Sequence, residues 1–441
     1  MNCNYLLVSV IVINVAANQK SKTIDNMNTT KKLMTLLLVL LALTACKDDG
    51  EVVYMLPETK PIQLSAEQKQ MRDNNNEFAW RLFQTMQEQQ GDSSTVLSPI
   101  GVTYMLGMLN TGAAGTTRDE ITATLGFGSD PTAVNEYCKT MIEGAPNVDP
   151  AATVKIANSI YVNSAKGLSL LGAFVNNMKS YYNAQIDELD FTKSGTLDKI
   201  NKWCSKNTGG MIPSILDELN PNAAMCLLNA IYFNADWTEK FDKNDTRSSS
   251  FTLPDGSIVS RDLMHRKAIA QGCESELCSM LRIPFGSGGY SMYVMLPAEG
   301  KSTSDLIRDM SQQALTEHLN AIDMTAHEVD ILMPRFEIVS DIDLISVLKP
   351  MGIQSAFTPF ADFSNMSNAS LCVTMMKQKA KIEVNEDGAK ASAVTISMAG
   401  DTSPDPVQYE KAEFHANRPF LYFILEESTR SIFFIGTYCG N

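Results

Sequence analysis

One large α+β domain is what the sequence predicts, from a helical period near residue 70, strand patterns concentrated in the second half, and no internal repeat or long Gly/Ser linker after residue 90. The helix comes first. Ser65 with Gln68 fits a capping box, and Phe78, Leu82 and Met86 recur every four residues, so the helix is expected over about 66 to 90. Strands are expected at Leu228 to Phe233, at the alternating Tyr290, Met292, Val294 and Leu296, at Val329, Ile331 and Met333, at Phe420 to Leu425 and at Ile432 to Tyr438. A length of 441 residues would allow two or three domains, and it is the unbroken run of elements that favours one, from residue 65 to 441.

Composition narrows the function by exclusion. Hydrophobic residues at 44% and charged ones at 20% describe a chain that buries a core. A net charge of −14, with no Lys/Arg block longer than a pair, excludes nucleic acid as a partner. The nine cysteines share no repeated spacing, and Cys273 with Cys278 is a lone Cys-x4-Cys, so neither a disulfide framework nor a metal site is expected. No cofactor is expected either, because no phosphate-cradling loop is present. There is no Gly-x-Ser-x-Gly elbow, and His327-Glu328 runs on into Val329-Asp330-Ile331 instead of completing His-Glu-x-x-His. His265, His318, His327 and His415 stand beside no nucleophile motif and read as surface or packed histidines, so a hydrolase is not expected.

The N-terminal region carries an address. Lys31 and Lys32 precede the apolar run Leu33 to Leu43, which is too short to span a bilayer, and Leu43-Thr44-Ala45-Cys46 follows. That tetrapeptide resembles a bacterial lipobox, which implies cleavage before Cys46 and acylation of its thiol. Residues 1–45 then read as an export signal, with Met27 a possible true start, and residues 46–64 as a polar, proline-containing tether. Asp48-Asp49 after Lys47 resembles the surface-export tag of some bacterial lipoproteins. The expected location is the cell envelope, with a lipid anchor in the membrane and a lean toward display on the outer surface.

Several longer segments together resemble the serpin family, in shared order, over nearly all of residues 66 to 441. They begin with Ser94-Thr95-Val96-Leu97-Ser98-Pro99-Ile100, Leu106-Gly107-Met108-Leu109 and Gly112-Ala113-Ala114-Gly115-Thr116-Thr117. Asn158-Ser159-Ile160-Tyr161, Ile200-Asn201-Lys202-Trp203 and Thr208-Gly209-Gly210-Met211-Ile212 follow. Then come Leu228-Asn229-Ala230-Ile231-Tyr232-Phe233, Trp237, Phe241, Thr246, Pro334-Arg335-Phe336, Asp362-Phe363-Ser364 and Arg418-Pro419-Phe420. The resemblance implies three β-sheets, about nine helices, an exposed reactive loop and a monomer. It also puts Ser98 and Asn229 at shutter positions that govern sheet opening, Trp237 at the breach, and Gln378 where the family usually has a histidine. Ser98 as a helix cap and Asn229 as a buried amide are the alternative structural readings.

Glu386-Asp387-Gly388-Ala389-Lys390-Ala391-Ser392-Ala393 resembles the family's hinge and proximal loop. Positions 389, 391, 393, 395, 397 and 399 are Ala, Ala, Ala, Thr, Ser and Ala, so one face of a prospective strand is small and uncharged. Such a strand can enter a sheet over packed helices without overpacking. The resemblance then implies an inhibitor that acts as a suicide substrate: a serine protease forms an acyl-enzyme with the loop, which inserts into the main sheet and distorts the protease. A papain-like cysteine protease is a second possible target, and a non-inhibitory serpin that binds a ligand or serves as a scaffold is the alternative. Counting from Gly388 puts the scissile bond between Thr402 and Ser403, whereas counting back from Pro419 puts it nearer Gln408 or Tyr409. Extra residues after the bond can loop out freely, which favours the first count. A small Thr402, and no Lys or Arg between 391 and 410, favour an elastase-like target over a trypsin-like one.

Overall fold

The structure, a computed structural model, describes residues 57–128, 130–322, 326–388 and 409–441. Cys46, the export segment, Ala389 to Ala393 and the candidate bond at Thr402 and Ser403 lie outside these residues. Nine α-helices are present among the described residues: α1 (Ala66–Gln90), α2 (Pro99–Gly112), α3 (Gly115–Leu125), α4 (Pro131–Gly144), α5 (Gly172–Tyr182), α6 (Gly195–Asn207), α7 (Thr303–Asp309), α8 (Gln312–Ile322) and α9 (Leu344–Leu348). At the start of α1, Ser65 and Gln68 exchange the expected capping-box hydrogen bonds.

A five-stranded sheet has the spatial order β10 (Phe336–Asp343), β11 (Met375–Val384), β4 (Met225–Ala235), β2 (Ala152–Asn163) and β3 (Gln185–Leu189). β11 is antiparallel to β10 but parallel to β4, through seven partners from Met375↔Cys226 to Lys381↔Tyr232. Its sequence explains its place, since Met376, Gln378, Ala380, Ile382 and Val384 alternate inward while Lys377, Lys379 and Lys381 point out. Lys377 reaches Asp341 at 3.1 Å and Lys381 reaches Glu337 at 2.9 Å, which ties β11 to β10.

The second hydrogen-bonded network runs β1 (Thr95–Leu97), β14 (Ser431–Tyr438), β13 (Phe420–Glu426), β8 (Tyr290–Pro297), β7 (Cys278–Phe285), β6 (Ile258–Glu274), β9 (Ala326–Pro334) and β12 (Lys411–His415), with β5 (Arg247–Thr252) also on β6. The two further sheets expected are joined here because the 17-residue β6 pairs with β5, β9 and β7 in turn along its length. All five expected strands fall within observed ones. β2 was not anticipated by periodicity, because its second half is buried on both faces and shows no alternation.

Helix α2 lies in the core, with every residue except Thr111 buried. β4 is covered on both sides. Met225, Leu227, Ile231, Phe233 and Ala235 join the main core, whereas Cys226, Leu228 and Ala230 form a second cluster with Ile200 and Cys204 of α6. Each such large apolar side chain contributes about 1.5–3 kcal/mol by burial. The seven described cysteines are free thiols, and burial pushes Cys138, Cys204, Cys226 and Cys278 each up to about 12, so these four are inert at neutral pH.

Candidate functional site

Where β11 meets β4, the ladder register puts Gln378 opposite Asn229, and the β2–β4 register puts Asn229 opposite Asn158. Partners in a ladder share a face, so three strands present one row of amides to the N-terminus of α2. Gln378 Nε2 donates to Asn229 Oδ1 at 2.9 Å and to Ser98 O at 2.8 Å, while its Oε1 accepts the Ser98 N–H at 2.8 Å. Asn229 Nδ2 donates to Asn158 Oδ1 at 2.9 Å, and Asn158 Nδ2 to Tyr182 O at 3.3 Å. Ser98 stands at the N-cap position of α2 but caps nothing with its side chain; the hydroxyl donates to Phe433 O at 2.7 Å. The four residues Ser98, Asn158, Asn229 and Gln378 are buried, and none of them titrates near neutrality. Parting β11 from β4 by one strand width would take ladder partners from about 5 Å to about 10 Å apart and break the Gln378–Asn229 bond. A buried amide left unpaired costs about 1–3 kcal/mol, so this row resists opening.

Gly101 makes the row possible. A Cβ there would lie 2.4 Å from Asn229 Oδ1 and 2.7 Å from Gln378 Nε2, closer than atoms tolerate. Gly101→Ala is therefore expected to push the two amides apart and lower the melting temperature of the uncleaved protein by several degrees. Calorimetry checks this, and an unchanged transition would mean that the row does not hold the sheet closed.

At the end of β11 the chain turns back on itself. Asn385 N donates to Gly388 O at 3.0 Å and Gly388 N to Asn385 O at 3.1 Å, with Glu386 and Asp387 at the corner. Gly388 is also bridged antiparallel to Asp236, just past β4. Its φ of +116° and a virtual Cβ at 2.4 Å from Trp237 N admit only glycine without strain. Trp237 clamps the turn, since its N–H donates to Asp387 O at 3.0 Å and its Nε1 to Asn385 O at 2.8 Å, while its ring stacks on Phe285 at 4.3 Å. Glu386 is buried; it accepts from Thr246 Oγ1 at 2.7 Å and lies 3.9 Å from Arg335. A cleft of about 690 Å³ opens beside the turn between Lys243, Arg335 and Glu383.

Asp387 pairs with Lys243 at 2.5 Å and Lys240 at 3.6 Å. The hydrogen bond from Lys243 holds the Asp387 carboxyl below its ordinary 3.8, and the same bond raises Lys243 above 10.5. The contribution of the lowered acid is present above pH 3.8 and lost as pH falls through its folded value, and that of the raised base is lost only as pH climbs past 10.5. Trp237 fluorescence, read in a variant lacking Trp80 and Trp203, should thus stay constant from about pH 8 to 5 and change only below about pH 4. A shift near pH 6 would contradict this.

The structure brings Ser98, Asn229 and Gln378 into one cluster and Trp237, Glu386, Asp387 and Gly388 into another. Sequence reasoning missed Gly101, Asn158 as a member of the row, and the cations Lys240 and Lys243. Only Asn158 carried a sequence sign, as part of the Asn158 to Tyr161 segment.

The chain matches the family described as Serpin (serine protease inhibitor) over residues 73–440. The chain belongs to the serpin family, whose members with this description inhibit proteases and are not enzymes. It is 30% identical over 386 residues to leukocyte elastase inhibitor A of Rattus norvegicus, covering 84% of this chain and 100% of that protein. It is 29% identical over 391 residues to human Serpin B3, covering 83% and 98%. Among solved structures, human thyroxine-binding globulin complexed with thyroxine aligns with a TM-score of 0.76 at 28% identity, covering 84% and 98%. Tengpin, a thermophilic serpin in its native state, aligns with a TM-score of 0.76 at 26% identity, covering 87% and 98%.

Proposed function

We propose that the protein is a suicide-substrate inhibitor of a serine endopeptidase, and that its cleaved loop becomes a new strand between β11 and β4. The observation that carries this reading is the hinge, where Gly388 is already bridged to Asn385 on one side and to Asp236 on the other. A strand continued from there would run antiparallel to both neighbours. Keeping that register, Ala389 would face Val384 and Ala235, Ala391 would face Ile382 and Phe233, and Thr395 would fall between Gln378 and Asn229. The residue that enters the opened amide row thus brings a hydroxyl able to bond both amides. Ser98, Asn229 and Gln378 would act as the shutter, and Trp237 with residues 386 to 393 as breach and hinge.

The finer assignments rest on sequence. Thr402–Ser403 would be the bond attacked and an elastase-like enzyme the preferred target, and the resemblance to a leukocyte elastase inhibitor supports that preference. Residues 1–45 would direct export, and acylated Cys46 would hold the inhibitor at the cell envelope through the 46–64 tether. Cys46→Ser should then move the protein from the membrane to the soluble fraction on fractionation, and continued membrane association would refute the anchor.

The test of function is incubation of the purified protein with elastase-like, chymotrypsin-like, trypsin-like and papain-like proteases. An SDS-stable complex supports inhibition, whereas loop cleavage without any complex favours a ligand carrier or scaffold. Mass spectrometry of the C-terminal fragment from a denatured complex locates the bond: an N-terminus at Ser403 supports it, and one at Tyr409 or Glu410 sinks it.

A further inference from the structure

Away from hinge and shutter, α1 faces the α7–α8 junction across a groove. Glu77, Trp80, Arg81 and Gln84 recur at three- and four-residue intervals, so they share one face of α1. Opposite them run Arg308 to Gln312, where α7 ends and α8 begins. Gln84 Nε2 crosses the gap to donate to Ile307 O at 2.7 Å. The two sides enclose a pocket of about 300 Å³. A neighbouring cleft of about 480 Å³ shares Arg81, Gln84 and Arg308 with it and adds the apolar Ile307, Pro350 and Met351.

Three buried polar atoms belong to residues that line the smaller pocket and have no hydrogen-bond partner among the described residues: Trp80 Nε1, Arg81 Nε and Gln312 Oε1. Trp80 is only 3% exposed. Native proteins leave few buried donors or acceptors unpaired, because each is costly. Two donors and one acceptor around one pocket therefore call for a ligand that carries an acceptor beside a donor. The charges agree with this. Arg308 is held by Asp305 at 2.8 Å and by Asp309 at 2.9 Å, and Lys301 lies 3.7 Å from Asp309, so these four balance one another. Arg81 is fixed by its Nη2, which donates to Thr124 O at 2.8 Å. Its Nε stands 3.9 Å from Glu77 Oε1, too far for a hydrogen bond. One guanidinium and one carboxylate thus flank the unpaired atoms without satisfying them.

We propose that this groove binds a free α-amino acid with an apolar side chain, its carboxylate on Trp80 Nε1 and Arg81, its ammonium on Gln312 Oε1 and Glu77, and its side chain over Ile307, Pro350 and Met351. A carboxylate can accept from both donors at once, and an ammonium has only donors to offer, which suits an amide oxygen and a carboxylate. The Glu77 side chain is 59% exposed, so it has room to turn toward the ammonium. A neutral primary carboxamide offers the same acceptor and donor, but it leaves Arg81 and Glu77 without a counter-charge. The smaller pocket is of a size for the head of such a ligand, and the apolar cleft that opens from Arg81 and Gln84 takes the rest. The site involves neither hinge nor loop and stands whether or not the protein traps a protease.

L-leucine is the probe, added to the full chain. Trp80, Trp203 and Trp237 give three indole signals in a proton–nitrogen NMR spectrum, and Trp80→Phe identifies that of Trp80 by its loss. Leucine should move the Trp80 signal saturably, with half-saturation at or below about 1 mM, and leave the other two in place. Titration calorimetry should give the same affinity, reduced at least about tenfold in Trp80→Phe and in Gln312→Ala. Gln313→Ala is the control and should bind as wild type does, since that side chain bonds Glu317 instead. N-acetyl-leucine lacks the ammonium and leucinamide lacks the carboxylate, and each should bind at least about tenfold more weakly than leucine. A Trp80 signal that stays put at about 20 mM leucine, an equal shift of all three indoles, or full affinity in Gln312→Ala overturns the site. Leucinamide binding as tightly as leucine overturns the amino acid and points to a carboxamide, and N-acetyl-leucine doing so overturns the part given to the ammonium.

Discussion

Ala391→Arg is expected to turn the inhibitor into a substrate, raising the stoichiometry of inhibition at least tenfold while the rate of loop cleavage stays near wild type. In the register set at Gly388, residue 391 would face Phe233 and Ile382, both in the main core. A guanidinium there has no partner, and an uncompensated buried charge costs about 3–5 kcal/mol. At about 1.4 kcal/mol per tenfold in rate, insertion would slow more than a hundredfold, and deacylation would win the race. Ala389→Arg should act in the same direction, because position 389 would face Ala235 and Val384. Ser392→Glu is the control: residue 392 would lie on the opposite face beside Lys381, and a charge there should leave the stoichiometry nearly unchanged. If the arginine variants titrate protease as wild type does, the strand does not enter in this register.

The same register accounts for the outward face of the loop. Lys390 would stand beside Glu383 of β11, an oppositely charged neighbour. Val394, Ile396 and Met398 would face Ala230, Leu228 and Cys226, which lie under α6 in the second cluster. The outer face of the loop is polar where the sheet meets water and apolar where a helix covers it. Loop composition showed the small face without any structure, but the reason for the apolar stretch on the other face needed β4 and α6 in place.

How far the sequence could be read follows the range of the interactions. The α1 cap joins residues only three positions apart, so Ser65 and Gln68 disclosed it. The strands in the second half were legible from their apolar patterns, but β2 was not, since burial on both faces erases the period. The amide row joins residues 98, 158, 229 and 378, and only the registers of three strands make them neighbours. Family segments pointed to three of the four. Nothing local marked Gly101, whose role is the space it leaves, or Lys240 and Lys243, whose partner Asp387 lies more than 140 residues on.

Cutting the loop at any bond after residue 399 should raise the melting temperature by about 20 °C or more at a fixed scan rate. Insertion exchanges one parallel ladder of seven partners for two antiparallel ladders. The net gain is on the order of ten hydrogen bonds at about 1 kcal/mol each. Val394, Ile396 and Met398 would add burial against the α6 layer at up to about 1.5–3 kcal/mol apiece. Against this stand the lost Gln378–Asn229 bond, which Thr395 would replace, and the ordering of the loop backbone. That entropy is substantial, so the rise depends on the inward face entering without strain. Cleaved Ala391→Arg should therefore gain little. Calorimetry of four samples, wild type and Ala391→Arg each before and after cleavage, separates the possibilities. A wild-type curve that does not move on cleavage would mean the loop stays out and the chain works as a carrier or scaffold, and an equal rise in both proteins would mean that residue 391 does not face the core.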